Sequence, residues 1–585
     1  MQNNCLFALL LFGCSVYKSS SAQKLSEKYL KNETVTYSEC ISFYKELDQK
    51  YTNAKLLTYG LTDVGKPLHL FVITNDGDFN PSTIHQRNKI ILLVNNGIHP
   101  GEPDGIDASM KFSEELLTGK ISDTLLKHAV VCIVPVYNID GALNRSCCSR
   151  SNQNGPEEYG FRGNSKNLDL NRDFIKCDSE NAKSFEKLFH EWDPDVFIDT
   201  HVSDGADYPY TMTLISSQHN KLNPFLGNYM KAEMTSALFK KMLEKKDEMI
   251  PYVNSKEVSP EGGIIAFFET PRFSTGYVTL FNTLSFVSET HVFKPFQGRV
   301  KSTYNILLSL LEVAGKDFMK IKELRNKAKQ DCATRNDFDL QWQLDTTTSD
   351  LINFKGYEAK YKKSTVTGLE RLYYDPGAPY ERKIKFYDEY KATVTVKKPE
   401  MYIVPQTWRE VIERLKINDI EMRRLGKDTV LEAEVYFIEK FTTSHDPYEG
   451  HYLHSNVEIR KGWEQLNFYK GDYVIDVNNK NSRYIVETLE PQATDSWFAW
   501  GFFDAVLGQK EWFSDYVFEE KAEEFLNQNP ALKTEFETKQ KLDTAFAENS
   551  FSQLNFIYQR SPYFEKSFKR YPVVRLNAKI KLPLE

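Results

Sequence analysis

His99 and Glu102 stand three residues apart in NNGIHPGEPDG (95–105), directly after the apolar run NKIILLVNN. A histidine and a carboxylate at the end of a buried strand, among Gly and Pro, are suited to holding a divalent cation. His201 ends a second apolar run, DVFIDTH (195–201). Two imidazoles and one carboxylate form the open ligand set that leaves zinc a fourth position for water. Glu289 lies in a third run, LSFVSETHVF (284–293), where a carboxylate is costly unless it serves a polar site. It shares a strand face with His291, a rival ligand ranked below His201. Asn171 and Arg172 are adjacent in KNLDLNRDF (166–174), and Arg is the side chain suited to a bidentate grip on a carboxylate.

These residues need a frame that brings distant segments to one rim. From about residue 30 to 330, apolar runs such as LHLFVIT (68–74) and AVVCIVPVYN (129–138) alternate with amphipathic stretches such as DGIDASMKFSEELLTG and ENAKSFEKLFHEW. Strands buried on both faces and separated by helices predict an α/β domain with a mixed, largely parallel sheet flanked by helices. Ligands of such sheets sit beyond the carboxyl ends of the strands, where His99, Glu102 and His201 fall. One long amphipathic segment, 299–330, closes this domain. Beyond about 335 the pattern turns to alternation, as in KYKKSTVTGLERLYY, RKIKFYDEYKATVTV, TVLEAEVYFIEKF and NSRYIVETLEP. That pattern predicts a β-rich C-terminal region of half-exposed strands with few helices. The expected division is a leader at 1–22, a catalytic domain at 23–335 and an accessory region at 336–585.

Taken together, HPGE, VPVYNIDG, DLNR, DTH and SETH resemble the M14 family of zinc metallocarboxypeptidases, in the family's order across about residues 40–300. The resemblance implies one zinc ion on His99, Glu102 and His201. It implies Glu289 as general base and Asn171 with Arg172 as the anchor for a substrate's terminal carboxylate. Asp169 matches the carboxylate that orients the first histidine, and Arg162 in YGFRGN matches the arginine that holds the scissile carbonyl. Tyr277 in RFSTGY is the local candidate for the family's substrate-capping tyrosine. The C-terminal region resembles extensions on bacterial secreted proteins of this kind.

The expected activity is therefore hydrolysis of C-terminal residues from peptides or proteins. Two alternatives stay open: a zinc amidase or cell-wall peptide hydrolase on the same scaffold, and a peptide-binding protein without catalysis. The Asn171–Arg172 pair favours the first reading, because a small-substrate amidase has no peptide terminus to hold. Glu289 argues against pure binding, which needs no base.

The 585 residues carry a net charge of −7 with both signs mixed, so no footprint for nucleic acid is present. The N-terminus, MQNNCLFALLLFGCSVYKSSSAQ, reads as a secretory leader cleaved after Ala22. A secreted or periplasmic monomer is expected, with lipid attachment at Cys14 as the lesser alternative. No later stretch is long and apolar enough to span a membrane. GLTDVGKPL (60–68) resembles the start of the family's catalytic domain, so no long inhibitory propeptide is expected. Of the eight cysteines, Cys132 reads as a buried free thiol, and the pairing of the rest stays open. WFAWGFFDAV (497–506) reads as core, and DPYEGHYLH (446–454) as a polar loop rather than a second metal site.

Overall fold

The computed structural model describes residues 24–585. The leader expected at 1–22, with Cys14, lies outside them.

Among the described residues, nine strands belong to the first half of the chain: β1 (Ala54–Leu61), β2 (Pro67–Ile73), β3 (Ile90–Asn95), β4 (Ala129–Val134), β5 (Val196–Ser203), β6 (Met212–Ser216), β7 (Met249–Pro251), β8 (Ile264–Ile265) and β9 (Leu284–His291). Eight of them form one sheet in the order β1-β2-β4-β3-β5-β9-β6-β7. The centre, β4-β3-β5-β9, is parallel, and antiparallel pairs flank it. The fold class is the expected one, a mixed α/β sheet followed by a β-rich region.

The apolar runs are continuous because the sheet is covered on both sides. Leu92 and Val94 point into one core with the helices Asp104–Leu117 and Phe296–Lys316. Ile91 and Leu93 point into the other, with the helix Glu180–Trp192. Two buried ion pairs tie the helices to the site-bearing elements. Arg299 reaches Asp104 at 3.0 Å, and Arg325 reaches Asp195, at the foot of β5, at 2.6 Å. Gly105 is required where it stands: a Cβ there would lie 1.9 Å from Thr200 Oγ1. The helix after the HPGE turn can therefore press directly against β5.

The segment expected as one long closing element is two helices, Phe296–Lys316 and Phe318–Thr334, broken at Asp317. Beyond it come β10 (Asp337–Leu344), β11 (Asp350–Lys363), β12 (Glu370–Tyr387), β13 (Tyr390–Lys397), β14 (Met401–Val404), β15 (Arg423–Arg424), β16 (Thr429–Thr443), β17 (His454–Phe468), β18 (Tyr473–Asp476) and β19 (Val574–Leu576). β12 pairs with β8, and six of the later strands make a separate sheet, β15-β18-β14-β19-β16-β17. NSRYIVETLEP is not a strand. Ser482–Leu489 is a helix with every residue buried and an Arg483–Glu487 ion pair of 2.6 Å one turn apart. Alternation misleads there because the segment has no solvent face. The stretches PQTWREVIERLKI and EEKAEEFLNQ, the helices expected in this region, are helical at Arg409–Ile417 and Asp515–Gln528, and further helices at Pro530–Leu542 and Ser550–Tyr558 exceed them.

The C-terminal region does not hang from the first half on a linker. Trp497, Trp500, Tyr484 and Tyr402 share the same apolar core as Ile91, Leu93 and Phe189. The aromatic WFAW segment is core, as read. Cys132 is a buried free thiol, and Cys147 is bonded to its neighbour Cys148. Among the described residues no helix is long and apolar enough to cross a membrane.

At this shared core Glu186 accepts a hydrogen bond from Asn418 Nδ2 at 2.6 Å, and its other oxygen is buried without a partner. Burial raises its carboxyl to about 8. A carboxyl raised on folding binds a proton that the unfolded chain has released, so stability is complete below about pH 4.5 and falls as pH rises to about 8. Glu186→Gln removes that component. The difference in urea midpoint between pH 5 and pH 8.5 will be smaller in the variant than in the parent. Parallel pH profiles for the two proteins would contradict this.

Candidate metal and peptide-terminus site

The turn after β3 presents His99 and Glu102, with the Glu102 N–H donating to His99 O at 2.8 Å. β5 presents His201 beside it, and the parallel register sets His201 level with Glu289 on β9. Three chain segments thus meet at the carboxyl end of the parallel centre. The His99 and His201 rings are 4.9 Å apart, centre to centre. One ligand atom from each of His99, Glu102 and His201 lies within 4.8 Å of the others, and all three residues are buried.

The charges are held in place from behind. Glu102 Oε2 accepts from Val202 N–H at 3.0 Å and lies 3.1 Å from His201 Nδ1. Glu102 Oε1 accepts from Arg150 Nη1 at 2.8 Å and lies 3.2 Å from His99 Nδ1. Burial alone would raise the Glu102 carboxyl, but His99 and Arg150 hold it well below the usual carboxylate range. His201 Nε2 lies 3.1 Å from Asp199 Oδ2. Asp199 is fixed in turn by Asn95 Nδ2 at 3.1 Å and Ser274 Oγ at 2.6 Å.

His99 Nε2 faces Asp169 Oδ1 at 2.9 Å, which leaves Nδ1 buried without a hydrogen-bond partner. An orphaned imidazole nitrogen beside a carboxylate and a second imidazole fits a zinc ion, because burying that atom unpaired is otherwise costly. Asp169 therefore has the orienting place expected of it. Arg162 donates to its other oxygen from Nε at 3.0 Å, and Arg162 Nη1 comes within 3.5 Å of Glu102. Burial would raise the Asp169 carboxyl, and His99 with Arg162 drives it far down instead. Asp169→Asn will weaken zinc binding by about 10- to 100-fold, read by competition with a chelator. Unchanged affinity would remove Asp169 from this role.

Glu289 is the one residue of β9 that is not fully buried, and burial of its carboxyl raises it to about 8 against the pull of His201. Arg172 donates from Nη1 to Asn171 O at 2.8 Å, and its guanidinium stacks on Phe273 at 4.4 Å. Asn171 Oδ1 accepts from Ser274 N–H at 3.1 Å, leaving the amide nitrogen as its donor.

Two expected participants are elsewhere. Tyr277 is wholly buried in the aromatic core, where its hydroxyl donates to Asn418 Oδ1 at 2.7 Å, so it is a packing residue and not a cap. His291 is satisfied by Ala206 O at 2.9 Å and by Phe293 N–H at 3.2 Å, and it takes no part in the ligand cluster.

Other residues border the site without having been singled out. Glu269 is buried, and its Oε2 has no partner. Burial raises its carboxyl to about 8, with His201 and Arg172 among the charges that act on it. The signal was present in AFFETPRF, an acid in an apolar run, the same argument that marks Glu289. Asp199, an acid within the run DVFIDTH, carried the same signal, whereas Arg150 and Tyr448 carried none comparable. A second group, His219, Asp388 and Glu389, lies close together, but Lys231 Nζ sits 3.0 Å from Asp388 and 2.5 Å from Glu389 and supplies its positive charge.

Comparison with known proteins agrees with this geometry. A family model described as zinc carboxypeptidase, peptidase M14, matches residues 40–246. The chain carries a zinc carboxypeptidase domain. The matched span includes His99, Glu102, Asp169, Asn171, Arg172 and His201, whereas Glu289 lies beyond its end. Carboxypeptidase 2 of Trichophyton equinum is 21% identical over 452 residues, covering 72% of this chain and 76% of the relative. Carboxypeptidase 2 of Trichophyton rubrum is 21% identical over 460 residues, covering 74% and 76%. Among solved structures, a metallo-carboxypeptidase from Burkholderia cenocepacia overlays with a TM-score of 0.36 at 18% identity, over 50% of this chain and 71% of that one. The zinc carboxypeptidase domain is that of a peptide hydrolase.

Proposed function

We propose that the protein is a secreted exopeptidase that removes C-terminal residues from peptides, with one zinc ion on His99, Glu102 and His201. The observation that carries this reading is the convergence of that ligand set with Glu289, level with His201, and with Arg172, 4.0 Å from the Asp169 carboxylate that faces His99. A zinc ion bound there supplies Lewis acidity toward the peptide carbonyl and makes water a better nucleophile near neutral pH.

The chain's own groups do the rest. Arg172 and Asn171 grip the terminal carboxylate and fix the last peptide bond in the cleft. Arg162, anchored on Asp169, directs a guanidinium toward the carbonyl oxygen as negative charge develops there. Glu289 takes a proton from the attacking water and returns it to the leaving amine. The leader-like N-terminus supports export.

The test is a C-terminal release assay on a peptide library together with metal analysis. Release of single residues from free C-termini, abolished by a chelator and restored by zinc, is the expected result. Cleavage of amidated peptides at equal rate would favour an amidase, and zinc-loaded protein without hydrolysis would favour a binding role.

A further inference from the structure

The loop joining β16 to β17 reaches the site from the C-terminal region. Tyr448 and His451 pair in antiparallel fashion across Glu449 and Gly450, with N–H···O distances of 2.7 and 3.0 Å. Both central residues have positive φ, 50° and 84°, as the tight type I′ hairpin turn requires. Two successive side chains at this tip touch the peptidase machinery. The Tyr448 hydroxyl accepts a hydrogen bond from Arg172 Nε at 2.9 Å. Glu449 Oε2 accepts the backbone N–H of Asp169 at 2.7 Å.

The tip is itself pinned. His451 Nε2 lies 2.7 Å from Asp178, Tyr448 stacks on the buried Trp500 at 6.2 Å and 25°, and Arg272 lies over both rings. Arg272 is locked to Asp495 by a 2.8 Å hydrogen bond from Nε.

An arginine side chain has several rotatable bonds, and a carboxylate grip needs its fork held in one orientation. Phe273 fixes the plane of Arg172, and Asn171 O fixes Nη1. The Tyr448 hydroxyl fixes Nε, at the edge of the guanidinium away from the Nη1–Nη2 fork. We propose that the peptide-terminus site is composite: the C-terminal region supplies Tyr448 as the positioning residue that aims Arg172 at the substrate's carboxylate. This rests on the reading of Arg172 as the clamp. It gives the C-terminal region a role in selecting free C-termini.

The test uses the full chain in a Glu289→Gln background, which binds without turnover. Calorimetry compares one peptide with a free C-terminus and its C-terminal amide. The Glu289→Gln protein will prefer the free acid, and adding Tyr448→Phe will lower that preference about tenfold while leaving affinity for the amide and the melting temperature unchanged. Tyr448→His, whose ring nitrogen is an alternative acceptor, will restore part of the preference. In the active enzyme the Tyr448→Phe effect will fall on KM, with kcat within about twofold. A preference that survives Tyr448→Phe overturns the positioning role and leaves the clamp standing. No preference in the Glu289→Gln protein itself overturns the clamp, and the positioning role with it.

Discussion

Replacing Glu289 with glutamine lowers kcat by roughly 10²- to 10⁴-fold and leaves zinc content at the parental level. The residue is level with His201 on the neighbouring strand, yet it is not among the ligand cluster. It is also the one residue of β9 that is not fully buried. Glutamine keeps the shape and the polar contacts but cannot accept a proton, so the metal site stays assembled while proton transfer is lost. Single-turnover rates on a short peptide, with zinc measured on the same sample, separate the two effects. Loss of zinc in the variant would make Glu289 a structural member of the site, and hydrolysis at the parental rate would remove it as the base.

Replacing Arg172 with alanine lowers kcat/KM for free-terminus peptides by about 10²-fold or more, the scale of about 3 kcal/mol expected when one partner of a partly desolvated ion pair is removed. The side chain is 22% exposed, between Phe273 and the Asn171 carbonyl, so the charge it presents is shielded from water on one face. Arg172→Lys will recover little, because an ammonium has no planar fork to match a carboxylate and no second donor to reach Tyr448 in the same geometry. Steady-state kinetics of the two variants on a peptide and on its amide decide the matter. Equal losses on both substrates would show that Arg172 supports the fold and not the recognition of a terminus.

The sheet and the ligand cluster were legible because strands buried on both faces leave continuous apolar runs, and an ionisable residue interrupting such a run stands out. His201, Glu289 and Glu269 share that signature, although Glu269 was passed over. Tyr277 illustrates the opposite case: tyrosine serves core and cleft equally well, and only its neighbours Asn418 and His190 reveal which. Tyr448 and Glu449 touch Arg172 and Asp169 across some 280 residues, a proximity that depends on how one core is shared between the two halves. Nothing local in DPYEGHYLH encodes that contact. Ser482–Leu489 was misread for a related reason, since burial on every side erases the face-specific pattern on which periodicity depends.

The central claim is that His99, Glu102 and His201 bind one ion together. Anomalous scattering at the zinc edge, from crystals of the intact protein grown with zinc, tests it most directly. A single strong peak within about 2.0–2.3 Å of a nitrogen of each histidine and an oxygen of Glu102 is the predicted result. A peak elsewhere, or density with His201 turned away from the other two, would contradict the account.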